Sequence, residues 1–146
     1  MQRFHWTAGN TVFEAEIDAE HREMLRLCDE LSSALDTGAN ADVIADAVRR
    51  LAGEVEGHFA HEERLMRAAG YSAYAWHKRE HDGARRRLQA LAGKPRDLLQ
   101  YLAAWFQNHT GVADRMMAAA LRNAGRAQRA PQRAPRKAPV GAAAVS

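Results

Sequence analysis

Six ionisable side chains stand where a helical bundle would bury apolar ones. Four segments can be read in alternating steps of three and four, the spacing of a bundle seam. The first gives Ile17, His21, Met24, Cys28, Leu31 and Leu35. The second gives Ile44, Val48, Leu51, Val55, His58, Glu62 and Leu65. The third gives Tyr74, His77, His81, Ala84, Leu88 and Leu91, and the fourth Leu98, Leu102, Trp105, His109, Val112 and Met116. Each stripe is apolar except for a short polar insertion: His21; His58 with Glu62; His77 with His81; and His109. One core histidine is ordinarily just a hydrogen-bonded one. Six ionisable groups spread over all four stripes are costly to bury unless they are partnered. Several Lewis bases held rigidly in a dry interior are what a metal site needs. His61 and Glu63, in the same HFAHEERLM stretch, fall off the seam and read as solvated residues without a role.

Spacing separates the metal chemistries. HEERL begins like the HExxH of zinc proteases, but position 65 is Leu, so that motif fails. Di-iron bundles of the ferritin type use Glu-x-x-His pairs, and no Glu in this chain has a His three residues later.

The elements that must position these groups are all helical. Residues 1–16 read as an irregular arm. Asp18 is the expected N-cap of the first helix, which closes near Gly38. The second runs from after Asn40 to Gly70, the third from near Ser72 to about Gly93. The fourth starts at Pro95, a favoured first-turn residue, and fades near Gly125. No segment alternates as a strand would. Long helices with short connections predict an all-α, up-down-up-down antiparallel four-helix bundle. Antiparallel packing can bring the four polar insertions to one level.

Charge divides the chain. Residues 123–146 hold Arg126, Arg129, Arg133, Arg136 and Lys137 and no acid; removing those five from 21 bases leaves 16 against 18 acids in residues 1–122. The body is mildly acidic, which argues against nucleic-acid binding through the folded domain. The tail repeats QRAP, QRAP and RKAP over 128–139, and its regularly spaced prolines predict a disordered extension whose partner is not identified. No run is apolar enough for a membrane span, and no signal peptide is seen. Cys28, the single cysteine, is expected to be a small buried hydrophobe, and its solitude fits a reducing, cytoplasmic setting.

The order of these residues resembles the hemerythrin family: a His on the first helix, then HxxxE, HxxxH and HxxxxD. Here these stand as IDAEHREML (His21), HFAHEERLM (His58, Glu62), WHKREH (His77, His81) and WFQNHTGVAD (His109, Asp114). Phe59, Glu63, Met66, Tyr71 and Trp105 match the family's flanking residues, and the likeness covers about residues 1–121. The resemblance implies two non-haem iron ions with a bridging oxo or hydroxo group. His77, His81 and His109 would hold one, His21 and His58 the other, with Glu62 and Asp114 bridging. It leaves one position open to dioxygen on the iron with two histidines. It also implies a water-excluding wall of Phe59, Trp105, Phe106 and Thr110. Thr110 departs from the aliphatic residue usual in the family.

Asp114 enters only through this resemblance. Five residues after His109, it lies about 140° away on an ideal helix. To reach the site it requires a local widening, such as a π-type bulge. The expected function is reversible dioxygen binding for storage, delivery or sensing, with no catalytic residues. Two alternatives are a di-iron enzyme acting on peroxide or nitric oxide, and a signalling module.

Overall fold

The computed structural model describes residues 4–129. Helix α1 spans Ala15–Asp36, α2 Ala41–Ala69, α3 Tyr74–Leu91 and α4 Pro95–Asn108. A π-helical turn, His109–Asp114, runs on from α4 into α5, Arg115–Arg129, so the last three pieces form one continuous rod. α1 and α3 each pack against both α2 and α4, which closes the four-helix bundle. There is no strand among the described residues, and no helix among them is long and apolar enough to cross a membrane.

Local chemistry sets the helix ends. The Asn40 side chain caps α2 by accepting from the Val43 N–H at 3.0 Å. Gly70 ends α2 in the left-handed region, φ 64°, and the Tyr71 N–H reaches back to the Met66 carbonyl at 2.9 Å. α3 starts at Tyr74, two residues later than expected, because Tyr71–Ala73 close a further turn through the Tyr74 N–H and the Tyr71 carbonyl. Pro95 sits in the first turn of α4.

Two boundaries differ from the sequence reading. Asp18 is not the N-cap of α1, which already begins at Ala15. Its buried carboxylate accepts instead from Thr11 Oγ1 at 2.7 Å and the Val12 N–H at 2.8 Å, drawn there by donors that the incoming arm would otherwise leave unpaired. The last helix runs through Gly125 to Arg129, so residues 123–129 are helical rather than part of a disordered tail. Alanine-rich sequence favours helix, and one glycine costs only about 1 kcal/mol against Ala. The tail expected beyond this point, 130–146, lies outside the described residues.

The bundle has two apolar clusters. The larger contains Met24, Cys28, Leu31, Leu51, Val55, Leu98, Leu102 and their neighbours. The smaller contains Val12, Ile17, Met66, Met117 and Ala118. His21 lies between Ile17 and Met24 in α1, and His58 and Glu62 between Val55 and Met66 in α2. The polar insertions therefore form a layer between the clusters. Cys28 is buried, and burial together with the charge of Asp29 pushes its thiol up to about 12.

The arm is tied to the smaller cluster. Val12 is buried there, and Arg122 of α5 donates to its carbonyl at 2.7 Å. Arg115 donates to the Gly9 carbonyl. Phe13, the next residue, takes φ 62° with its ring exposed.

The π turn changes the phase of the fourth rod. A continuous stripe places Val112 and Met116 in the core, but they are 58% and 53% exposed. Ala113, Met117 and Ala118 are buried in their place. The widened turn takes up one extra residue, so every inward position after it moves one place along the chain.

Candidate metal centre

All six seam residues and Asp114 meet in one buried layer. His21, Glu62, His77 and His81 are fully buried, and His58, His109 and Asp114 nearly so. Each imidazole turns its Nε2 to the centre. His21 and His58 approach Nε2 to Nε2 at 3.1 Å, as do His77 and His109. Glu62 Oε1 lies 3.1 Å from His81, 3.4 Å from His58 and 3.5 Å from His77. Asp114 lies 3.0 Å from His109, 3.1 Å from His77 and 3.2 Å from His21.

The donors fall into two overlapping sets, each with ligand atoms within 4.8 Å of one another: Glu62, His77, His81, His109 and Asp114, and His21, His58, Glu62 and Asp114. Only the two carboxylates belong to both. This partition of the imidazoles into three and two is a feature of the geometry alone. The π turn carries His109, Thr110 and Asp114, and its wider pitch is what turns Asp114 inward.

Electrostatics show how the charges of the layer balance. Burial, reinforced by the charge of Asp114, pushes Glu62 well above the usual carboxylate range. Asp114 is held well below that range: burial opposes its charge, but the close imidazoles of His109, His21 and His77 outweigh it. Burial also works against a charge on His77, yet the adjacent carboxylates of Asp114 and Glu62 raise it to about 9. Burial and the neighbouring His77 and His109 depress His81 to about 2. Burial likewise lowers His58. Asp114 is thus kept as an anion and His77 as a cation in a dry layer, while Glu62, His58 and His81 stay neutral. Both Glu62 oxygens, Asp114 Oδ1 and His81 Nε2 are buried without a hydrogen-bond partner. Such orphaned acceptors are expensive unless a cation satisfies them. Imidazoles and carboxylates in this mixture suit iron, manganese or zinc.

Aromatic rings pack around the layer. Phe59 stacks on His81 with centroids 4.1 Å apart, and Trp105 on His109 at 4.2 Å. Phe106 meets His21 edge-on at 5.2 Å, on the side with two imidazoles. Thr110 is buried, and its hydroxyl donates to Asp114 Oδ2 at 3.4 Å rather than to its own helix backbone.

Four residues outside the sequence expectation buttress the layer. Glu63, read as solvated, is buried and accepts from His81 Nδ1 at 2.9 Å. Its position one residue past the seam still lies on the α2–α3 contact, where Arg85 meets it at 2.8 Å. His61, also read as solvated, is partly buried, with Nδ1 2.7 Å from Glu20 Oε1. The same Glu20 oxygen lies 3.3 Å from His58 Nδ1. The usable signals are adjacency to a polar seam residue, Glu20 beside His21 and Glu63 beside Glu62, and a base one turn after one, Arg85 after His81.

Comparison with known proteins agrees with this geometry. The chain is 30% identical to a bacteriohemerythrin of Ralstonia nicotianae over 139 residues, covering 90% of this chain and 94% of the relative. It is 31% identical to a hemerythrin of Themiste dyscrita over 109 residues, covering 75% and 86%. A wild-type hemerythrin crystal structure superposes with a TM-score of 0.75 at 26% identity, over 82% of this chain and 98% of that one. The profile of the hemerythrin HHE cation binding domain matches residues 12–121, and the chain belongs to the hemerythrin family.

Proposed function

We propose that this protein binds two iron ions in the buried layer and takes up dioxygen there reversibly, for storage, delivery or sensing. His77, His81 and His109 would hold one ion and His21 and His58 the other, with Glu62 and Asp114 shared. The observation that carries the reading is the pair of donor sets with only those two carboxylates in common. The unpartnered oxygens of both carboxylates and the inward Nε2 atoms fit such a pair of cations. Iron, when bound there, supplies the electrons that reversible dioxygen binding requires.

The chain's own residues set the conditions. Neutral imidazoles are the ligating form, and burial keeps His58 and His81 neutral at pH 7. Phe59, Trp105 and Phe106 cover the layer with apolar surface, which limits water and protons at the irons. The side with two imidazoles has the lower count of protein donors, and Phe106 borders it. A small ligand is therefore expected on that side.

The test is optical. Iron-loaded protein is reduced anaerobically, exposed to air and then freed of oxygen. A visible charge-transfer band that appears and then vanishes supports reversible binding. Direct passage to the diferric spectrum refutes it. Turnover with peroxide or nitric oxide would instead support the enzyme reading.

A further inference from the structure

Two of the five imidazoles in the layer have carboxylates behind them, and the two carboxylates are held differently. His58 Nδ1 faces Glu20 at 3.3 Å; that carboxylate is part-exposed and shared with His61. His81 Nδ1 faces Glu63 Oε2 at 2.9 Å, and Glu63 is buried. The same Oε2 also lies 2.8 Å from Arg85 Nη2. Nδ1 of His21, His77 and His109 has no hydrogen-bond partner.

Arg85 is fixed from several sides. Its guanidinium pairs with Glu56 through Nε at 2.8 Å and Nη2 at 3.1 Å, and with Asp82 through Nη1 at 2.9 Å. Asp82 is itself held by Lys78 at 2.8 Å. The guanidinium carbon lies 5.3 Å from the Phe59 ring centroid, on the ring that stacks against His81. Partial burial works against its charge, but the bonds to Glu56, Glu63 and Asp82 raise its pKa above the ordinary value. It is a permanent cation.

A carboxylate behind a ligating imidazole draws on the Nδ1 proton, makes the ring a stronger donor and so favours the more oxidised metal. A cation on the same carboxylate oxygen competes for its lone pairs and weakens that pull. We propose that Arg85 is a positioning residue for the metal centre: acting through Glu63, it fixes the His81 ring and raises the reduction potential of the iron pair. This rests on the di-iron reading above. It makes the two sides unequal, since Glu20 has a histidine on it but no arginine.

The test compares Arg85→Gln, Arg85→Lys and Glu63→Gln, together with the Arg85→Gln/Glu63→Gln double variant, all iron-loaded. The readouts are iron content per chain and the diferric/diferrous midpoint potential by spectroelectrochemistry. Arg85→Gln should retain iron and show a lower midpoint than the parent. Arg85→Lys should recover most of the shift, since it keeps the charge. Glu63→Gln should raise the midpoint, and adding Arg85→Gln to it should produce no further fall. If Arg85→Gln does not fold, the opposite displacements expected of Arg85→Lys, slightly down, and Glu63→Gln, up, carry the test. An unchanged midpoint in iron-loaded Arg85→Gln, or an equal fall in both Glu63 backgrounds, would overturn the inference. Failure of the parent protein to bind a pair of irons would instead overturn the reading of the site.

Discussion

Thr110 is the wall residue whose chemistry can be changed with least disturbance. Thr110→Val exchanges a hydroxyl for a methyl at nearly constant shape; Thr110→Ile adds one more carbon. The hydroxyl lies 3.4 Å from Asp114 Oδ2, longer than an ordinary O–H···O bond. His21 Nε2 approaches the same oxygen at 3.2 Å. The hydroxyl's contribution to holding Asp114 therefore belongs at the low end for hydrogen bonds, about 0.5 kcal/mol, or about twofold in metal affinity. Burying a methyl in its place returns a comparable amount, up to about 0.8 kcal/mol. Thr110→Val should keep parental iron content and stability. Its effect should appear in oxidation instead. A water lodged beside the irons needs at least two polar partners, and the hydroxyl is a candidate for one. Removing it should slow ferric formation in air about three- to tenfold, about 0.7–1.4 kcal/mol in barrier. The assay is the first-order loss of the oxygenated spectrum at fixed pH and temperature. Thr110→Ser, which keeps the hydroxyl and loses the methyl, should oxidise at least as fast as the parent. Equal rates for Thr, Val and Ile, or a slower rate for Ser than for Val, would refute the reasoning.

Three further outcomes follow from the geometry. Asp114→Ala removes the carboxylate that contacts His21, His77 and His109; metal content after dialysis against a chelator should fall clearly below the parent's while the far-ultraviolet spectrum stays helical, and parental metal content would contradict this. His77 is raised from 6.5 to about 9, so near pH 7 it carries a proton that must leave before it can ligate. Glu62, also raised, must shed its proton too, so apparent metal affinity, measured by chelator competition, should climb at least about tenfold per pH unit from pH 7 towards 9; a flat profile from pH 7 to 9 would count against it. Val12 is 1% exposed, so Val12→Ala should cost about 2 kcal/mol in urea unfolding. Its neighbour Phe13, exposed and at φ 62°, should tolerate Gly within about 0.5 kcal/mol, because relieved left-handed strain offsets the lost contacts. Similar costs at both positions would argue against the arm's anchoring at Val12.

Much of this was legible because burial and chemistry share one period. His21, His58, Glu62, His77, His81 and His109 occupy the same stripes as Ile17, Leu51 and Leu102, so the rule that finds the core also finds the inward polar groups. Asn40, Gly70 and Pro95 mark helix ends by purely local chemistry and were found by it. What failed was whatever depends on a neighbouring segment. Asp18 looks like a cap until the arm's donors are seen to occupy it. Glu63 looks solvated until Arg85 arrives from another helix. Val112 and Met116 were misplaced for a different reason. The bulge needed to bring Asp114 inward also shifts every later position, and a stripe counted straight through 109–114 misses that shift.

The same extra residue gives the fourth rod two independent frames. His109 and everything before it are indexed to the cluster around Leu98 and Leu102. Met117, Ala118 and the arginines that grip the arm are indexed to the cluster around Val12 and Met66. A rod with one frame would force any change in the grip on the arm to rotate the ligands. With a phase slip between them, the helix beyond Asp114 can be rebuilt, residue for residue, without altering the direction in which His109 points. The turn is therefore a natural splice point, at which one half of the rod can diversify while the other stays fixed by the buried layer.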